Sequence, residues 1–411
     1  MDNRLVDRRS CVWRFSRRHP GSRHRAHRDA KRTRTGRSHP SHQLVHVAET
    51  SIVSTRTTAA ESQSHPRRED DRLPTIEHVA LNPQWLAGRT EPILEPERRI
   101  VDPHHHLWER DGGYLLDELL ADVTSGHRID ATVFVQCGYH YYTSGPEALR
   151  PVGETEWVAS VGRAAHERGI GAQVCAGIVG YADLTLGDAV DEVLHAHIGA
   201  GDGRFRGIRH SPARDEAFAT SLLSRPPIDL LQQASFRRGL ARLQAAGMSF
   251  DAWVYHPQLP QLVDLAREMP DLPIVLNHVG GPLGAGPYRG RRDEVFADWH
   301  ASIEALAAMP NVSIKLGGLA MAIGGFDFHL GRRPPSSDAL AAQWKPLIHG
   351  AIEAFGAGRC MFESNFPVDK GMCSYAILWN AFKRLASGAS EDEKSALFFD
   401  TANRFYRLGL A

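Results

Sequence analysis

Eight short runs rich in β-branched and apolar residues, separated by stretches whose apolar residues recur at helical spacing, constrain this chain more than any other feature. Strand and helix in repeated alternation imply a parallel sheet with crossover helices, and eight parallel strands close into a barrel. The runs are RRIVDPHHH ending at His106, ATVFVQCG (131–138), GAQVCAGIVG (171–180), FRGIRHS (205–211), MSFDAWVYH (248–256), PIVLNHVGG (273–281), NVSIKLGGL (311–319) and CMFESNFPVD (360–369). The stretches between them, SFRRGLARLQAAG and SDALAAQWKPLIHGAIEAFG among others, carry the apolar period of amphipathic helices. The expected fold is an α/β (β/α)8 TIM barrel over residues 99–408, entered through a lead-in segment at 71–98.

Residues 1–70 show neither period. They hold 16 Lys/Arg against 7 Asp/Glu, leaving 32 against 41 in the rest of a chain whose formal charge is zero. Such a stretch cannot bury enough apolar surface to fold, so a disordered basic N-terminal extension is expected. Asp2, Asp7 and Asp29 argue against a transit peptide, and a later start would need a non-AUG codon because no Met occurs between Met1 and Met248. Nothing in the extension alternates aromatics with Arg, and no run approaches 18 apolar residues, so neither nucleic acid nor membrane is an expected partner. Five scattered cysteines without a C-x-x-C pair fit a reducing, cytoplasmic setting.

In such barrels the reacting groups sit at the C-terminal ends of the strands. The first run ends in Asp102-Pro103-His104-His105-His106, where period-two alternation puts His104 and His106 on one face and His105 on the other. Two imidazoles on one face can share an ion such as zinc, or they can simply hydrogen-bond their neighbours. His256 closes the fifth run and His278 the sixth, so four histidines are expected at one rim. In the eighth run Glu363 and Asn365 share a face and Asp369 follows in the loop, which is where a general base or last metal ligand is sought. Arg209 and His210 end the fourth run, Lys315 lies in the seventh, and Gln136 ends the second. These are candidate substrate contacts, the cations clamping a carboxylate or polarising a carbonyl, unless they pair with acids such as Asp251 or Glu363. Tyr139, Tyr141 and Tyr142 either line the pocket or pack. No nucleophile elbow, phosphate loop or dinucleotide fingerprint is present.

VDPHHHLW, FRGIRHS, the stretch from FDAWVYHP to LNHVGGP, NVSIKLGGL and MFESNFPVD follow one another between about residues 97 and 406. In that order they resemble the amidohydrolase superfamily, specifically the amidohydrolase-2 group of TIM-barrel metal-dependent hydrolases that includes sugar and dicarboxylate lactonases. The resemblance implies a hydrolase acting on a lactone or similar carbonyl compound. It makes His104 and His106 a metal-ligand or carbonyl-polarising pair, sets His278 against the reacting carbonyl, and puts His256 where a further metal ligand can stand. It implies one divalent ion, zinc or manganese, or a metal-free centre as in some lactonases of the group. Where the family ends strand eight with an Asp, this chain has Asn365, and a neutral amide has no useful basicity near pH 7. Proton abstraction would shift to Glu363, Asp369 or a histidine, or to water activated by a metal. The expected partner is a small molecule bearing a carboxylate, and a homo-oligomer is compatible with this reading. A metal-dependent non-oxidative decarboxylase of the same family and a catalytically silent binding barrel are the competing readings.

Overall fold

The computed structural model describes residues 73–222 and 225–411; the expectation for residues 1–70 lies outside the described residues. In the lead-in segment, β1 (Thr75–Ile76) precedes the barrel strands β2 (Arg99–His105), β3 (Arg128–Val135), β4 (Gln173–Gly180) and β5 (Phe205–Ile208). A second short strand, β6 (Ala219–Thr220), interrupts the series before β7 (Ser249–Ala252), β8 (Ile274–Leu276), β9 (Val312–Leu316) and β10 (Cys360–Phe362). The sheet order β2-β3-β4-β5-β7-β8-β9-β10 is parallel throughout, and each barrel strand falls inside one of the eight runs except β3, which begins three residues before its run. First and last strands meet beyond the sheet proper: His106 N–H donates to Phe366 O (2.7 Å) and Asn365 N–H to His104 O (2.9 Å). This junction of the barrel's first and last strands brings the H-x-H motif against the turn after β10.

The crossover helices lie between successive strands, the longer ones being α1 (Val152–Glu167), α2 (Arg292–Ala307) and α3 (Ser337–Phe355). Their apolar stripes and the outward faces of the strands form the main core, in which Phe134, Phe250, Trp299 and Trp344 are fully buried. Among the described residues no helix is long and apolar enough to cross a membrane.

The barrel interior is layered. Its lowest layer is apolar, with Val101, Val133, Val179, Val275 and Met361 packed against Phe399 and Tyr406 from the C-terminal segment. Above it Lys315 donates to Asp251 Oδ2 (2.8 Å), which also accepts from Tyr406 Oη (2.8 Å) and Asn277 Nδ2 (3.1 Å). The histidine layer comes next, and above that a cavity opens at the C-terminal rim. Two segments outside the barrel frame close over this cavity. β1 pairs in parallel with β6, Thr75 opposite Ala219 and Ile76 opposite Thr220, and His78 N–H donates to Ser221 Oγ (2.8 Å).

Candidate active site

β2 delivers the first histidines. Asp102 is buried beneath them, accepting from Ser364 N–H (2.9 Å) and Tyr375 Oη (2.9 Å), so it ties the β10 turn to β2; burial pushes its carboxyl up to about 6. Alternation turns His105 away, as its sequence parity requires: its Nε2 meets Thr132 Oγ1 (2.9 Å), and burial pushes it down to about 3. His106 Nδ1–H donates to Val135 O (2.7 Å), which leaves its Nε2 as a lone pair. That lone pair stands 3.3 Å from His104 Nε2. Burial, then the charge of Lys315, holds His104 well below the ordinary imidazole range, so it is neutral.

Glu363, the first residue beyond β10, joins two of the histidines. Its Oε1 accepts from both His278 N–H (3.0 Å) and His278 Nδ1–H (2.8 Å), so His278 Nε2 is the free lone pair. Its Oε2 lies 2.7 Å from His104 Nδ1 but outside hydrogen-bond geometry, and this buried oxygen has no hydrogen-bond partner among the described residues. His104, His278 and Glu363 present ligand atoms all within 4.8 Å of one another, a set that could hold a metal ion. The 3.3 Å between the Nε2 atoms of His104 and His106 matches the edge, roughly 3.3 Å, of a tetrahedron with zinc–nitrogen bonds of about 2.0–2.1 Å. An orphaned carboxylate oxygen and facing imidazole nitrogens therefore fit a divalent ion chemically.

Two cations touch the same imidazole. Lys315 Nζ is 3.2 Å from His104 Nδ1, and Arg209 Nη1 is 3.2 Å from His104 Nε2. They differ in depth. Lys315 is wholly buried in the layer below and does not line the cavity, whereas Arg209 does. Arg209 also donates to Gln136 O, and no carboxylate lies within ion-pair distance of it among the described residues.

Asn365 lines the cavity, and its Nδ2–H donates to Asp369 Oδ1 (2.8 Å). The amide is thereby oriented with Oδ1 as its remaining acceptor. Asp369 in turn accepts from Ala320 N–H (3.0 Å), and burial pushes its carboxyl up to about 8. His278 and Asn365 both hold positive φ near +54°, a conformation disfavoured for side-chain-bearing residues and persisting where surrounding contacts enforce it. Gly318 makes room for this arrangement: at φ +67°, a Cβ there would lie 2.4 Å from His278 Nδ1. Gly318→Ala is therefore expected to displace the imidazole and lower turnover about 100-fold; comparing its rate with its thermal unfolding separates misplacement from loss of fold.

The cavity, about 510 Å³, has His106, Gln136, Arg209, His210, His278 and Asn365 in its lining. His104, Glu363, Asp369 and Lys315 lie just beneath these. His210 Nδ1 accepts from Leu184 N–H (3.2 Å), and burial pushes its ring down to about 4. His256 is not brought into the group. β7 ends at Ala252, so the chain has left the sheet before His256, whose Nδ1 accepts from Leu283 N–H (3.3 Å) and whose ring meets Tyr288. Tyr141 lines the cavity, while Tyr139 packs on Trp157 and Tyr142 is 40% exposed. Sequence reading missed Trp108, stacked on His106, and Trp253, set edge-on against His278. Continuing the His104/His106 parity by two residues would have found Trp108.

A family profile described as amidohydrolase matches residues 101–408. An uncharacterised protein, y4mH, of Sinorhizobium fredii is 33% identical over 335 residues, covering 75% of this chain and 98% of its own. An L-fucono-1,5-lactonase of Burkholderia multivorans is 32% identical over 234 residues, 57% of this chain and 72% of the lactonase. Two crystal structures of amidohydrolases from Burkholderia multivorans each cover 75% of this chain and 99% of theirs. The one with bound HEPES gives a TM-score of 0.57 at 26% identity, and the one with bound zinc 0.56 at 25%. The match runs through every strand that builds the histidine layer, and on that ground the chain belongs to the amidohydrolase family.

Proposed function

We propose that this centre hydrolyses a cyclic ester or closely related carbonyl compound. The observation that carries the reading is the Glu363 bridge, which fixes His278 Nδ1–H and so presents His278 Nε2 as a proton acceptor on a cavity-lining residue. The likeness to an L-fucono-1,5-lactonase supports it.

His278 Nε2 takes a proton from water as the water oxygen bonds to the carbonyl carbon. Asn365 Oδ1 accepts the water's other hydrogen and so holds its lone pair toward the carbon. Arg209, which has no acid within ion-pair distance among the described residues, faces the negative charge that develops on the carbonyl oxygen, and it holds a carboxylate once one is present. When the ring C–O bond breaks, the imidazolium returns its proton to the departing alkoxide, so water is consumed and a hydroxy acid leaves. Glu363 steadies the imidazolium in between. His104 and His106 would hold a divalent ion, zinc or manganese, which when bound would supply Lewis acidity toward the carbonyl.

The test is elemental analysis of the purified protein beside the His104→Ala/His106→Ala double variant, both grown with zinc and manganese, together with lactone hydrolysis by each. Near-stoichiometric metal lost in the variant, with turnover lowered more than about 1,000-fold, is expected. Undiminished turnover in a folded double variant would overturn the reading, as would carbon dioxide release without water uptake.

A further inference from the structure

Resting on that reading, the structure assigns the substrate's chemical class: we propose that the ring opened here is carried on an apolar, aryl-sized body, making the substrate the lactone of a hydrophobic hydroxy acid rather than of a sugar acid. The walls of the cavity are aromatic, formed by Trp108, Tyr141, Tyr181, Trp253 and Tyr255. Its upper part is aliphatic, with Ile76, Leu222, Pro226, Pro227, Met321 and Ile323. The lining also carries His106, Arg209, His210 and His278 and, on other segments, Glu77, His78 and Arg110.

Several polar side chains of the lining are already engaged with the protein. Ser211 Oγ donates to Trp253 O (3.1 Å) and accepts from Ala213 N–H (3.2 Å). Ser221 Oγ accepts the His78 N–H that ties the two closing segments together. Gln136 Nε2 donates to Arg209 O (3.3 Å), and Arg110 donates to Cys137 O (2.8 Å) while lying over the Trp108 ring. A sugar lactone brings several hydroxyls that lose water on entry and each needs a partner, while Ser211, Ser221, Gln136 and Arg110 already serve the protein. An aryl body needs none, and gains from every aromatic wall it covers.

The test measures binding separately from turnover, on the full chain. Isothermal titration compares the hydroxyphenylpropanoate released by opening dihydrocoumarin with fuconate, and a pH-stat compares hydrolysis of dihydrocoumarin with that of fuconolactone. The aryl acid is expected to bind and fuconate not to, with kcat/KM favouring dihydrocoumarin by about 100-fold or more. Ile323→Ser is expected to weaken aryl-acid binding about tenfold. Fuconate binding as tightly as the aryl acid, or no binding of the aryl acid, would overturn the proposal. If the aryl acid binds and neither lactone is opened, the hydrolase reading fails while the apolar-body assignment stands.

Discussion

Replacing Glu363 by Gln is expected to lower kcat by about 1,000-fold or more while leaving the barrel folded. The amide oxygen can still accept from His278, but its NH2 then occupies the place of Oε2, 2.7 Å from His104 Nδ1. Donation there makes Nδ1 the acceptor of a neutral His104 and puts its proton on Nε2, facing the His106 lone pair, so that this nitrogen is no longer open to a metal ion. The substitution also takes away the negative charge that stabilises a protonated His278. Steady-state kinetics beside elemental analysis reads both losses; a variant with near-normal kcat would mean that the dyad plays no part in proton transfer.

Lys315→Met is expected to destabilise the fold by about 3–5 kcal/mol, because a buried pair loses one partner. Asp251 keeps its contacts to Asn277 and Tyr406 but loses the cation at 2.8 Å, with no solvent to replace it. For a chain of this size the melting temperature should fall by about 10 °C. Thermal unfolding checks this, and the double variant Lys315→Met/Asp251→Leu should recover much of the loss. An unchanged melting temperature in the single variant would show that the pair is not held as a buried ion pair.

The eight strands and the face shared by His104 and His106 were legible because both depend on local periodicity, which a barrel strand preserves. Depth was not. Lys315 has the parity of an inward-facing residue, but the stagger of tilted strands places it a layer below the cavity, and parity carries no information on stagger. His256 misled for a related reason: β7 stops at Ala252, and alternation means nothing once the chain leaves the sheet. Asn365 was legible as a departure from the family pattern. What the departure does depends on Asp369, four residues on, through a turn whose path the residue types do not specify. The cavity's upper part was invisible, since β1 and β6 meet across a separation of more than 140 residues and leave no local mark.

That last pairing separates two kinds of inheritance within one chain. The groups that make and break bonds are fixed by the barrel, where a change of one residue disturbs several layers. Part of the wall around the cavity comes instead from two short segments held together by a two-residue ladder and one serine. Drift in those segments can retune selectivity without disturbing the reaction, so relatives that share the histidine layer can diverge in diet long before they diverge in chemistry.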